Sequence, residues 1–167
     1  PGAVARTIAH RASITIIEGC NKNCTFCVVP MTRGRERNRR LTEIVDESRR
    51  LVGDGVVEIE LLGQTVNAYT DPATGEGLST LLRTISGIAG LRRLRFVTSH
   101  PKNFDDDLIA AMTESAVVCP ALHLPFQSGS DRILGRMKRQ YTRGEYLDLI
   151  GRPPVAIPGI AMSTHII

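Results

Sequence analysis

Three cysteines, Cys20, Cys24 and Cys27, stand within eight residues, in the run Gly19-Cys20-Asn21-Lys22-Asn23-Cys24-Thr25-Phe26-Cys27. The spacing is Cys-x3-Cys-x2-Cys. Thiolates on so short a loop can each take one iron of a cubane [4Fe–4S] cluster and leave the fourth iron without a protein ligand. An open metal position is where a substrate binds. A structural zinc site is a competing reading. It needs a fourth ligand such as His123, and zinc loops more often use paired Cys-x2-Cys units, of which this chain shows one. An electron-transfer ferredoxin fits less well, because it supplies four cysteines per cluster. The remaining cysteine, Cys119, is remote and reads as a buried structural thiol. A disulfide framework does not cluster its cysteines this way.

Basic residues crowd the segment just after the cysteines. Arg33, Arg35, Arg37, Arg39 and Arg40 fall within eight residues, and 18 of the 21 cationic residues are arginine. Such a cluster either meets RNA phosphates or forms a solvated face leading into a helix; its place beside the cysteines favours the nucleic-acid role. Aromatic residues make up 4% and tryptophan is absent, which argues against a surface that stacks many bases. The net charge of +4 is too mild to decide anything. No apolar run approaches the roughly 20 residues of a membrane span, and residues 1–11 lack a signal-peptide core. The expectation is a cytoplasmic protein with no membrane association.

The elements that must position these residues alternate. Ser13–Glu18 is a β-branched run and predicts a strand. Leu41, Ile44, Val45, Ser48, Leu51 and Val52 share one helical face, stopped by Gly53. Val57, Ile59 and Leu61 alternate with Glu58 and Glu60 in a second strand. Leu78, Leu81, Leu82, Ile85 and Ile88 form another helical stripe. Leu94–Thr98 is a third strand, and Asp105 caps a helix carrying Leu108, Ile109 and Met112. Leu122–Phe126 is a fourth strand, with a helix from about Ser130. Thr142 and Glu145 make a capping box for a segment that Gly151, Pro153 and Pro154 end. Ile160–Ile167 is a fifth strand. Repeated alternation predicts parallel strands with helical crossovers. A barrel fits better than a doubly wound sheet, because no Gly-x-Gly-x-x-Gly follows the first strand. Polar residues follow each strand: the cysteines, then Gln64 and Asn67, then Ser99 and His100, then Gln127–Ser130. In a barrel these points share one rim, where active sites are built. His100 either faces that rim or bonds to nearby backbone.

The cysteine spacing, ending in Phe26-Cys27, resembles the radical S-adenosylmethionine (SAM) superfamily. The longer run from Glu18 to Glu36 is similar to its methylthiotransferases, and within them to those that act on tRNA. Leu61–Tyr69, Arg95–Pro101, Leu122–Asp131 and Met137–Arg143 extend the similarity, and Thr98-Ser-His-Pro101 favours the tRNA branch. The resemblance implies an α/β fold: a partial (β/α) radical SAM barrel, truncated after about the fifth strand. It makes residues 1–12 a linker from an N-terminal domain and residues 13–167 an incomplete core domain. It implies a [4Fe–4S] cluster on Cys20, Cys24 and Cys27, SAM at the open iron, and a second [4Fe–4S] cluster in that N-terminal domain. SAM would be split to methionine and a 5′-deoxyadenosyl radical, and a methylthio group added to C2 of an N6-isopentenyl adenosine beside the anticodon. Partners would be tRNA and an electron donor. Gly63 and Gln64 would lie near the methionyl amine. Gln127, Ser128 and Ser130 would meet the SAM ribose or carboxylate, although either serine also suits a helix cap. Arg33, Arg35 and Arg37 would contact RNA. His165 stands where the family pattern has Asp, and Pro153-Pro154 interrupts a helix that is normally continuous. The alternatives are a ribosomal-protein aspartate methylthiotransferase and a non-catalytic metal-binding fragment.

Overall fold

The computed structural model of the chain describes residues 9–97 and 99–167. Thr98 of the Thr98-Ser-His-Pro101 motif, and most of the segment read as a linker, lie outside the described residues.

Parallel strands form the frame. β1 (Arg11–Thr15), β4 (Glu58–Leu62) and β5 (Arg93–Phe96) make one sheet in that order. β6 (Ala121–His123) and β7 (Ala161–Ser163) pair in parallel beside it. A parallel bridge links Leu94 of β5 to Val118, in the segment that leads into β6. The order is sequential, as in an opened (β/α) barrel. Two short strands, β2 (Ile17–Glu18) and β3 (Arg37–Asn38), form a separate antiparallel pair, with the single-turn α1 (Val29–Thr32) between them in the chain.

Register explains why the strands alternate in polarity. Ala12, Ile59 and Leu94 align across the sheet, as do Ile14, Leu61 and Phe96. These rows are buried and pack in one core with Ile44 and Val45 of α2 (Leu41–Gly53) and Leu81, Leu82 and Ile85 of α3 (Leu78–Ser86). The intervening rows are charged. Arg11, Glu58 and Arg93 align, then Ser13, Glu60 and Arg95. Arg11 reaches Glu60 at 2.7 Å, and Arg95 reaches Glu58 at 3.1 Å. The sheet thus has one apolar face under the helices and one face of ion pairs.

Several expected boundaries shift. The sheet begins at Arg11, so Arg11 and Ala12 belong to it and not to a linker; Ala12 fills an apolar row and Arg11 pairs with two glutamates. The single strand Ser13–Glu18 breaks at Ile16, whose amide bonds Leu62 O while its carbonyl accepts from Arg39. The chain there leaves one sheet for the other. Asp105 caps α4 (Asp106–Glu114) by accepting from Leu108 N at 2.9 Å. The capping box of Thr142 and Glu145 opens α6 (Arg143–Ala156). That helix does not stop at Gly151; it runs through Pro153 and Pro154. Proline φ is already helical; each ring removes a donor and crowds the carbonyl one turn back, a cost confined here to the end of the helix. Ile157 N closes the last turn on Pro153 O at 2.7 Å. The fifth strand is three residues long, not eight, and all of β7 is exposed.

Candidate metal centre

The cysteine loop leaves the end of β2 through Gly19, which has φ of 77°. A Cβ there would overlap the Arg35 carbonyl and lie 2.6 Å from Gly34 O. Only glycine suits both the left-handed backbone and the close approach. Cys20 N then donates to Gly34 O at 3.1 Å. Asn21 and Glu36 complete the join: Asn21 N and Nδ2 donate to the Glu36 carboxylate at 3.1 and 3.2 Å, and Glu36 N donates to Asn21 Oδ1 at 3.2 Å. The cysteine loop and the arginine loop are therefore one folded unit. Farther along, Thr25 N and Oγ1 donate to Met137 O and Arg136 O, which ties the loop to the end of α5 (Asp131–Arg136).

Cys20 and Cys24 are buried and Cys27 is half-buried. All three line a cavity of about 170 Å³. Gln64 and Thr65 after β4, Ser99 and His100 after β5, Pro125 and Gln127 after β6, and His165 after β7 line it too. The expectation of a shared rim holds for the segments that follow the strands. Cys20 Sγ lies 3.4 Å from Thr65 Oγ1 and accepts from Lys22 N at 3.4 Å. Arg139 Nη1 donates to Cys24 Sγ at 3.3 Å.

The residues expected to bind SAM separate into two groups. Gln64 and Gln127 line the cavity. The Gln64 carbonyl oxygen is already engaged, accepting from Gly19 N at 2.6 Å, so its amide nitrogen is what remains to offer. Gln127 is buried with φ of 74°, and its Oε1 has no partner among the described residues. A left-handed non-glycine residue costs about 1–2 kcal/mol, and such strain concentrates at functional sites. Ser99 Oγ is likewise buried and unpartnered among the described residues. Ser128 and Ser130 are not brought to the cavity. Ser128 Oγ accepts from Ser130 N at 3.3 Å, and Ser130 faces solvent at the start of α5. Neither caps the helix by its side chain: Ser130 is the N-cap, yet its hydroxyl bonds no helical amide. Gly63 is not a lining residue. A side chain there would overlap Ile17, so it is glycine to let β4 close on β2.

Both readings of His100 hold. It is buried on the cavity wall, and its Nδ1 accepts from Lys102 N at 3.2 Å. Burial, with Arg139 and Lys22 nearby, pushes its pKa down to about 3, so the ring is neutral with its proton on Nε2. Asn67, expected at the rim, holds the His100 backbone instead, bonding His100 N at 2.8 Å and His100 O at 2.9 Å.

Sequence reasoning misses two groups. Arg139 lies inside the similar stretch Met137–Arg143 with no role assigned to it, yet it is 5% exposed. Thr65 lies inside the similar stretch Leu61–Tyr69, also with no role assigned to it. Cys119 is half-buried, not buried, and lines a second cavity with His123. His123 bonds Ser163 Oγ at 2.9 Å, and the alternative fourth zinc ligand lines this second cavity and not that of the thiols. Among the described residues no three His, Cys, Asp or Glu side chains close on a single point as zinc ligands do. Thiolates that each take a different iron of a cubane stand further apart. The donor set fits a cluster with a ligand beside it: the three thiols share the cavity with Ser99 and Gln127, whose side-chain oxygens lack partners among the described residues. No described helix is long and apolar enough to cross a membrane.

The chain is 52% identical over 165 residues to the tRNA-2-methylthio-N(6)-dimethylallyladenosine synthase of Aquifex aeolicus, covering 98% of this chain and 38% of that protein. It is 56% identical to the protein of the same name from Acidithiobacillus ferrooxidans, covering 93% of this chain and 35% of the relative. The chain thus spans little more than a third of the length of these relatives. Among solved structures it resembles TsrM of Kitasatospora setae, a radical SAM methyltransferase with cobalamin and a [4Fe-4S] cluster bound (TM-score 0.67, 20% identity, 92% of this chain and 30% of that one). It also resembles OxsB, a cobalamin-dependent SAM radical enzyme (TM-score 0.71, 13% identity, 93% and 23%); at these identities the likeness is one of fold. The model of the radical SAM superfamily matches residues 14–152, from Ile14 in β1 to the last turns of α6, and the chain belongs to that superfamily.

Proposed function

We propose that the chain is the SAM-cleaving core of a tRNA methylthiotransferase, acting at C2 of N6-isopentenyl adenosine next to the anticodon. One observation carries the reading: the three thiols line one cavity at the ends of parallel strands together with Ser99 and Gln127, whose buried side-chain oxygens have no partner among the described residues. The shared name of the relatives supports the substrate.

In this reading Cys20, Cys24 and Cys27 hold a [4Fe–4S] cluster. When bound there, it supplies one electron to the sulfonium of SAM, giving methionine and a 5′-deoxyadenosyl radical. The chain's own residues bind and orient. Gln127 Oε1 and Ser99 Oγ offer hydrogen bonds to the polar groups of SAM, and the Gln64 amide nitrogen offers a third. Pro125 and Phe26 line the same cavity and exclude water, which limits quenching. Gly63 holds β4 against β2 so that Gln64 reaches Gly19.

The test is anaerobic reconstitution with ferrous iron and sulfide, then SAM with dithionite, read by chromatography. Release of 5′-deoxyadenosine is expected; a loaded cluster without cleavage of SAM removes the enzymatic reading. Adding tRNA or the ribosomal protein, and measuring which one raises the release, separates the two substrate classes.

The arginine loop supplies the electrostatic contact with RNA. Arg33, Arg35 and Arg37 are exposed beside the cysteine loop, and only Arg37 is ion-paired among the described residues, to exposed Glu18 at 2.9 Å. Replacing all three by Ala should weaken tRNA binding. The slope of log K against log salt should flatten by roughly 0.7–0.9 for each phosphate no longer neutralised. An unchanged slope would mean a solvated face.

A further inference from the structure

Arg139 is buried beside Cys24, and its charge has no carboxylate partner among the described residues. Arginine stays protonated in proteins, and a buried unpaired charge is strongly disfavoured. Its fork is nonetheless held in place. Nη1 donates to Cys24 Sγ at 3.3 Å, Nε to Tyr141 Oη at 3.0 Å, and Nη2 to Pro125 O at 3.4 Å. Tyr141 Oη in turn donates to Phe126 O at 2.8 Å. The backbone is fixed as well. Lys138 and Gln140, on either side, are both left-handed, at φ of 56° and 61°, and Arg139 N bonds Leu134 O at 3.0 Å. So much constraint on a cation aimed at a sulfur implies that the missing negative charge belongs to what the sulfur carries.

The three thiols are not treated alike. Cys20 has a hydroxyl and a backbone amide near its sulfur, both neutral. Among the described residues, Cys24 is the thiol whose sulfur accepts a hydrogen bond from a full positive charge. Hydrogen bonds to ligating sulfurs and nearby charge set the potential of an iron–sulfur centre. A fixed cation favours whichever redox state is more negative, which is the reduced one.

We propose that Arg139 is a charge-setting residue that raises the reduction potential of the cluster through Cys24, so that one electron from an external one-electron donor is more easily accepted. This rests on the cluster reading of Cys20, Cys24 and Cys27. Arg139 acts through the thiolate and is a positioning residue. Tyr141 keeps the guanidinium plane directed at the sulfur.

The test is potentiometry on the reconstituted chain with dithionite and mediators, read by electron paramagnetic resonance of the reduced cluster. Arg139→Gln should load the same iron as the unmodified chain but show a more negative midpoint. At the unmodified chain's midpoint, its reduced-to-oxidised ratio should fall at least tenfold, which is about 59 mV for one electron. Arg139→Lys, which restores charge without the fork, should recover most of the shift. A fully loaded Arg139→Gln with an unchanged midpoint overturns the proposal and leaves Arg139 as a packing anchor. If circular dichroism shows that Arg139→Gln does not fold, Tyr141→Phe decides. It keeps the ring, frees Nε and should move the midpoint the same way by less; no movement there also overturns the proposal. If the unmodified chain loads no iron, the cluster reading itself falls and the role of Arg139 falls with it.

Discussion

Replacing any one of Cys20, Cys24 or Cys27 by Ala should reduce reconstituted iron and sulfide from about four each per chain to near zero. Each thiolate in a three-cysteine site holds its own iron, and no fourth cysteine stands in the loop to substitute. The exchange removes only a sulfur from a small side chain, so the fold should persist and the loss should be of ligation alone. Cys119→Ala should load normally, because Cys119 faces the second cavity with His123. Colorimetric iron and sulfide assays, with circular dichroism as a folding control, give the answer. Stoichiometric zinc in the purified chain with no capacity for iron would falsify the assignment.

Gly19→Ala should be the most damaging single methyl group in the chain. The left-handed φ costs about 1–2 kcal/mol, and overlap with the Arg35 carbonyl adds about 1–3 kcal/mol. Neither partner is a flexible side-chain end, so the two loops must separate. The sum, about 2–5 kcal/mol, is a large share of the roughly 5–15 kcal/mol that holds a domain of this kind together. Cluster loading should fall with it, since Cys20 N and Asn21 both bond across that join. Gly34→Ala is the control. It shares the positive φ but has open space, so only the backbone cost applies. Urea midpoints for the two variants should differ clearly; equal midpoints would mean that the close approach at Gly19 is relaxed at no cost.

Local signals account for much of what the sequence reveals. The stripe Leu78, Leu81, Leu82 and Ile85 and the cap at Asp105 need only helical periodicity and a hydrogen-bonding side chain, and both stand where the pattern places them, whereas Ile88 of the same stripe lies beyond the end of α3 at Ser86. The rim is legible because parallel topology sends every strand end the same way. What fails depends on partners distant in sequence. The break at Ile16 is set by β3, a two-residue strand with no alternation of its own. Ser128 and Ser130 follow the right strand, but one positive φ at Gln127 turns the chain so that only the glutamine enters the cavity. Arg139 looks like its basic neighbours Lys138 and Arg143; its burial comes from Tyr141, Pro125 and Cys24, which no spacing rule connects. Proline reads as a stop, yet in α6 it serves as a last turn.

The charged face of the sheet also decides how the wall tolerates change. Most parallel sheets are buried on both sides, so that every strand residue is held by packing. Here the partly exposed Arg11, Arg93 and Arg95 pair with Glu58 and Glu60 on one side; exposed charges of this kind contribute little to stability, and only Glu58 is buried. Nearly all the cohesion of β1, β4 and β5 therefore resides in alternate residues. Along each strand, with buried Glu58 as the exception, positions that admit substitution should interleave one by one with positions that do not. The permissive set faces inward, leaving the lining of the barrel free to vary in shape and charge while its outer frame stays fixed.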